Sequence, residues 1–470
     1  MFRCARGPVA KSSVISEQRP ETGVGPRNNG PTFLGLLPIR EFPIPDGRLT
    51  VPEDLHLPER NLVAKFRFQQ IALSLMIGFA CSASPAPGED QPMITIEFIG
   101  EASVAGEDKD LSGQQRLLVN GEPSNRFGGI SALEYTGVGN RFLALPDRGP
   151  DDGATEYECR LHVVDIAIEP SADAPVQVRL KQTLLFRDYA GRCFSGSSKV
   201  LTSTAESAGR LDPEGIRIGA DGSLFVSDEY GPQLLQFDGQ GTEIRRFALP
   251  QHLQITHASA DKATEIATNT QGRVSNRGME GLALSLDGQK LVGIMQSCLL
   301  QDGEKNDRGR ILGNYTRIVE VTIATGEVRE FAYPMEKATN GISEILACGP
   351  DQYLVLERDG EAGLAATSKK VFLADLSKAT DIANHDRIPA DQLPTGIQGA
   401  KKALFLDLLS PQLPFAGESL PEKMEGLTFG PRLPDGRRTL VIAVDNDFES
   451  DFATRFWVFA MNGDALLSSR

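Results

Sequence analysis

From about residue 128 onward, short apolar runs alternate with turn residues at a recurring spacing, and one unit repeats. An acidic residue, usually followed by Gly and an aliphatic residue, opens a short apolar strand. A turn follows, then a second apolar strand that ends in charged or polar residues. The clearest copy is Asp212-Pro213-Glu214-Gly215-Ile216, the turn Asp221-Gly222, and Leu224-Phe225-Val226-Ser227-Asp228-Glu229. Three more are Met279-Glu280-Gly281-Leu282 with Asp287-Gly288, Ser343-Glu344-Ile345 with Pro350-Asp351, and Met424-Glu425-Gly426-Leu427 with Asp435-Gly436. A degenerate first copy is Gly128-Gly129-Ile130-Ser131 with Phe142–Leu145 and Asp147-Arg148-Gly149. Glu214 to Asp221, Glu280 to Asp287 and Glu344 to Asp351 share one offset. Asp-Gly between apolar runs marks a hairpin, because Gly supplies the positive φ that the turn needs.

Two further strands follow most hairpins, at 161–168 and 176–186, 234–238 and 243–249, 318–323 and 327–333, and 371–376 and 403–408. After the fifth hairpin only 456–460 remains, and 93–100 at the other end of the chain can supply the missing outer strand. Repeated four-stranded units closed in this way predict an all-β propeller. The repeat count gives five blades, and long insertions in the first and fourth units leave room for a sixth. A β-sandwich would not repeat an acidic-Gly-aliphatic register.

Composition narrows the function classes. The net charge of −15 and pI near 5.0 disfavour a nucleic-acid partner. The longest apolar run, 71–83, is too short to span a bilayer. With Lys65 and Arg67 before it and Ser82-Ala83-Ser84 after it, the run fits a signal peptide over 63–84. Residues 85–92 then read as a linker and 93–470 as the propeller domain. Residues 1–62, rich in Pro, Gly and Arg, read as a disordered leader or a misassigned start, and the mature protein as periplasmic or secreted. Outside the leader region stand Cys159, Cys193, Cys298 and Cys348. The predicted topology puts Cys159 and Cys193 at the same end of the first blade, where they are expected to form a disulfide, while a strand length separates Cys298 from Cys348.

In a propeller the start of each inner strand and the end of the next strand meet at one rim of the central channel. That places Glu214, Glu280, Glu344 and Glu425 around the mouth, with Asp147, Asp228, Glu229, Glu357, Asp359, Asp445 and Asp447 about them. So many carboxylates must be protonated or neutralised by a cation, and an all-oxygen set suits Ca²⁺. Arg148, Arg277, Arg358 and Lys423 among them suit a phosphate or carboxylate. The competing reading is structural, with each Glu bonding the backbone of the next blade. His252 and His257 lie in the segment 250–276, which should cross this face. Neither a Gly-x-Ser-x-Gly elbow nor a phosphate-cradling Gly-rich loop occurs in the sequence.

The segments Asp147-Arg148-Gly149-Pro150, Asp212-Pro213-Glu214-Gly215-Ile216-Arg217, Ser227-Asp228-Glu229-Tyr230-Gly231-Pro232, Asn276-Arg277-Gly278-Met279-Glu280-Gly281-Leu282-Ala283, Ile294-Met295-Gln296-Ser297, Glu357-Arg358-Asp359, Glu425-Gly426-Leu427 and Asp445-Asn446-Asp447-Phe448 resemble the bacterial "esterase-like activity of phytase" family. The resemblance runs from about Phe127 to about Phe448. It implies an exported propeller related to propeller phytases, and a calcium-dependent phosphomonoesterase acting on a small anionic substrate. On that reading Glu214, Asp228, Glu229, Glu280, Glu344, Glu357, Glu425 and Asp445 are the candidate metal ligands. Glu280, Arg277, Glu214, Arg148 and Arg358 are the candidate catalytic residues, with the arginines clamping phosphate. The alternative is a non-catalytic propeller that binds a ligand or protein partner on the same face.

Overall fold

Alternation along each strand sends successive side chains to opposite faces, so a strand buried on both faces reads as an unbroken apolar run. Leu440–Val444 shows this directly. Leu440, Ile442 and Val444 pack with Leu354 and Leu356 on one side, while Val441 and Ala443 pack with Phe142 and Val164 on the other. In the computed structural model, which describes residues 74–76 and 94–462, five antiparallel blades result, four of them four-stranded and the fifth extended by a short fifth strand.

The first blade comprises Ile130–Tyr135, Arg141–Pro146, Arg160–Ile168 and Val176–Leu185. The second is Pro213–Ile218, Leu224–Asp228, Gln233–Phe237 and Glu243–Phe247, and the third Met279–Leu284, Lys290–Met295, Tyr315–Thr322 and Val328–Pro334. The fourth is Gly341–Gly349, Gln352–Arg358, Lys369–Asp375 and Lys401–Asp407. The fifth joins Met424–Arg432, Arg438–Val444 and Thr454–Met461 to the N-terminal strand Thr95–Val104, the predicted closure. The described residues hold five blades and leave the sixth without a sheet. Each seam between neighbouring blades carries its own apolar cluster, the seam between the fifth and first included.

Of the predicted signal segment, only Ser74–Met76 is among the described residues, as a short strand antiparallel to Thr95–Glu97. The remainder of 63–84, the leader 1–62 and the linker 85–92 lie outside them, as do Cys4 and Cys81.

The Glu-Gly-aliphatic register has a packing cause. A Cβ on Gly281 would lie 2.5 Å from the Ile345 nitrogen, and one on Gly215 2.7 Å from the Leu282 nitrogen. At these two positions the inner strands of adjacent blades approach so closely that the residue after the ring position must lack a side chain.

The expected Cys159–Cys193 disulfide is absent, and both residues are free thiols. The two do lie at the same end of the first blade, but one residue out of register. The Cys159 amide donates to the Phe194 carbonyl at 3.0 Å, and Cys159 and Phe194 share one apolar cluster. Alternation turns Cys193 to the opposite side, beside Glu158.

His162 is fully buried, with Nδ1 2.9 Å from Thr183 Oγ1 and no partner for Nε2. Burial pushes its pKa down to about 3. Between that value and about 6.5 the unfolded chain binds a proton that the folded chain refuses, so stability present above pH 6.5 is lost as the pH falls. The expected cost is about 1.4 kcal/mol per pH unit over that window. His162→Gln should flatten the fall in melting temperature between pH 7 and pH 5, and an identical fall in parent and variant would count against this account.

Candidate functional site

Strand pairing locates the ring better than spacing does. Each inner strand bulges near its start. In the second blade Pro213 pairs with Asp228 and Gly215 with Ser227, leaving Glu214 as the extra residue. In the third and fifth blades the irregularity falls at Glu280-Gly281 and Glu425-Gly426. A bulge re-aims a side chain, and here oxygens of Glu214, Glu280 and Glu425 converge within 4.8 Å of one another. All three residues are buried. Desolvation pushes the Glu214 carboxyl well above the usual range, and the Glu280 charge adds to it. Glu280 is raised likewise, by burial and then by Glu229 and Glu425.

Glu344 stands elsewhere. In the fourth blade Ile342 pairs with Glu357 and Glu344 with Leu356, so the bulge residue is Ser343. A second bulge at Cys348 adds one residue to this strand, which reproduced the shared offset while shifting the true register. Glu344 accepts the Leu282 amide at 3.0 Å and lies 3.2 Å from Arg217. It thus takes the structural role, bonding the backbone of a neighbouring blade. Arg217 crosses the channel and donates to the carbonyls of Leu133 (3.3 Å), Ile345 (2.9 Å) and Leu427 (3.5 Å), on the first, fourth and fifth blades.

A second carboxylate group, Asp212, Glu214 and Glu229, shares Glu214 with the ring. Here a cation is already present. Arg148 is buried, pairs with Asp152 and Asp212, and lies 2.9 Å from Glu229. Arg148 is therefore committed to acids. Burial pushes Asp212 up to about 7 even beside Arg148, while Arg148 and Arg273 hold Glu229 below the usual range against the cost of burial. Asp212 was not among the residues singled out from sequence, although its place two residues before Glu214 was the available signal.

The other predicted residues divide. Asp228 is taken up by the amides of Asp212 (2.8 Å), Tyr230 (3.3 Å) and Gly231 (2.9 Å). Glu357 is taken up by Asn340, Tyr333, Lys402 and the Glu336 amide, away from the ring. Asp445 lies at the mouth, 3.7 Å from Lys423, and burial raises it to about 7. Burial, then the charge of Asp445, raises its neighbour Asp147. Arg358 pairs with Glu425 and donates to Ser343 Oγ at 3.0 Å. Arg277 is half-buried among Arg310, Glu229, Glu280 and Arg358, and its guanidinium makes no hydrogen bond or ion pair with any described residue. Burial, then Arg310, lowers its pKa.

Backbone strain gathers at the same rim. Six described non-Gly residues have positive φ; five of them, Asp151, Asp152, Asn276, Asp447 and Phe448, belong to segments at this mouth, and Asp351 lies in a hairpin turn. The segment 250–276 reaches this face as expected, since Lys262 on the helix Lys262–Thr268 pairs with Asp152. His252 does not face the mouth. It is buried, with Nε2 2.7 Å from Glu330, while His257 is exposed.

A family model described as "Phytase-like: Esterase-like activity of phytase" matches residues 125–448. The chain belongs to this family. A relative in the fungus Arthroderma benhamiae, described as an uncharacterized secreted protein, is 28% identical over 53% of this chain and 61% of its own length. This phytase-like chain therefore spans about three-fifths of that relative. Among solved structures, a luciferin-regenerating enzyme is similar at 10% identity and a TM-score of 0.33, over 72% of this chain and 93% of that one. A gluconolactonase from Xanthomonas campestris gives 9% identity and 0.31, over 79% and 91%. No helix among the described residues is long and apolar enough to cross a membrane.

Proposed function

We propose that this phytase-like propeller is an exported esterase that hydrolyses phosphate esters, with Ca²⁺ held by Glu214, Glu280 and Glu425 and the substrate anion held by Arg277. One observation carries the reading. Three buried carboxylates converge, Glu214 has no hydrogen bond or ion pair to any described residue, and beside them Arg277 has no acid bonded to it. Around the mouth seven carboxyl groups, Asp147, Asp212, Glu214, Glu229, Glu280, Glu425 and Asp445, stand with four basic residues, Arg148, Arg277, Arg358 and Lys423, and repulsion among the acids helps burial to raise Asp147, Asp212, Glu214, Glu280 and Asp445. A hard divalent cation suits that excess and the all-oxygen donor set. When bound, it would polarise a phosphoryl oxygen and acidify a water. Arg277 would orient the phosphate, Arg358 would fix Glu425, and Arg148 would hold Asp212 and Glu229 in place.

Export is supported by the description of the Arthroderma relative as secreted. The deciding experiment is a panel of phosphate and carboxylate esters assayed with Ca²⁺ and with chelator. Turnover of phosphate esters that chelator abolishes is expected. Absence of turnover across the panel would favour a ligand-binding propeller.

Ca²⁺ should also raise the melting temperature. A ligand bound only by the folded state stabilises it by about 2.7 kcal/mol at a hundredfold excess over its dissociation constant. An unchanged melting temperature between chelator and millimolar Ca²⁺ would leave the glutamates with a structural role alone.

A further inference from the structure

The ring position exists in all five blades, but only three fill it with Glu. In the fourth blade the bulge residue is Ser343, whose hydroxyl accepts from Arg358 at 3.0 Å. In the first blade Ile130 pairs with Pro146 and Ala132 with Leu145, which makes Ser131 the bulge residue. Ser131 is 2% exposed, and its hydroxyl makes no hydrogen bond with any described residue. By register it holds the position that Glu425 and Glu214 hold in the two adjacent blades. An unbonded hydroxyl with open space beside it keeps its lone pairs for a ligand, and this one holds the ring position where the carboxylates leave a gap.

We infer that Ser131 is a cation-binding member of the ring, supplying a neutral fourth oxygen beside Glu214, Glu280 and Glu425. The inference rests on the cation reading proposed above and adds to it the reason for a neutral residue at this place. A hydroxyl offers lone pairs to a hard cation without charge. Three carboxylates, one of them paired with Arg358, would leave a bound divalent cation close to neutral overall, so that an anionic group is not repelled. A fourth carboxylate would bind the cation more tightly but would repel that anion. Ser131 thus sets the balance between holding the cation and admitting the substrate.

The test is calorimetric titration of the full-length protein, first with Ca²⁺ alone and then, at saturating Ca²⁺, with inorganic phosphate. Ser131→Ala should weaken Ca²⁺ binding about tenfold, since one of the protein oxygens is lost. Ser131→Glu should tighten Ca²⁺ binding and weaken phosphate binding, a split that a packing role for Ser131 would not produce. Melting temperatures in chelator show whether each variant is folded, and the near-isosteric Ala variant carries the test if Glu disrupts the bulge. If the parent binds Ca²⁺ and both folded variants match it, Ser131 has no part in the site. If the parent binds no divalent cation, the cation reading itself falls, and this inference with it.

Discussion

Replacing Arg217 with Met should destabilise the propeller by about 3–5 kcal/mol, the cost of removing one partner from a buried charge pair. Arg217 is 2% exposed, and it reaches carbonyls on three other blades as well as Glu344 at 3.2 Å and Glu134 at 3.5 Å. Loss of the guanidinium removes the counter-charge from both carboxylates and a donor from three carbonyls. Burial already pushes Glu344 up to about 8 against the pull of Arg217, and raises Glu134 too. Without Arg217 both shift further upward. The folded state then retains protons that the unfolded chain has released, so the deficit should grow as the pH rises from 6 to 9. Denaturant unfolding at both pH values measures this. Adding Glu344→Gln to Arg217→Met should recover part of the loss, because the uncompensated charge is gone. A single variant within about 1 kcal/mol of the parent at both pH values would remove Arg217 from its place as the keystone of the channel.

Much of this architecture was written in local pattern. The hairpin turns, the two-faced apolar strands and the Glu-Gly register each have a cause acting over a few residues, so the five blades and the N-terminal closure could be read directly. The carboxylate site was legible to the level of a rim but not to the level of a ligand set. Three causes limited it. The bulge at Cys348 lengthened one strand by a residue, which lent Glu344 the spacing of a ring glutamate and hid Ser343. Hydrogen bonding decided between equivalent-looking acids: backbone amides occupy Asp228, and Lys402 with Asn340 occupies Glu357. Pairing across blades decided between the arginines, since Arg148 is taken by three acids and Arg277 by none. These last two causes depend on residues far apart in the chain, where spacing carries no signal. The disulfide that was expected and is absent has a simpler origin: topology placed both cysteines at the same end of the blade, and alternation turned one away.

The chemical reading makes its strongest demand on Glu280 and Arg277. They enter the mouth on one short segment, with the Gly278 amide fixed 3.1 Å from Glu229 Oε1. Cation and anion would therefore be held side by side by a stretch whose backbone is pinned to the neighbouring acid group. Glu280→Gln keeps the shape and one acceptor oxygen but removes a charge from the ring. It also relieves the crowding with Glu229 and Glu425 that helps to push the Glu280 carboxyl upward, so the fold should lose nothing and gain slightly in chelator. Arg277→Lys keeps the charge but replaces a planar fork with a point donor. Because the Arg277 guanidinium bonds to no described residue, its replacement should leave the melting temperature unchanged. Each variant should nevertheless lower kcat/KM on a phosphate ester at least tenfold, about 1.4 kcal/mol of transition-state stabilisation. The two losses should differ in kind. Glu280→Gln should raise the Ca²⁺ concentration needed for half-maximal rate, whereas Arg277→Lys should leave that requirement alone and weaken inhibition by inorganic phosphate. Full activity in both variants, on a substrate that the parent hydrolyses, would place the chemistry away from this mouth.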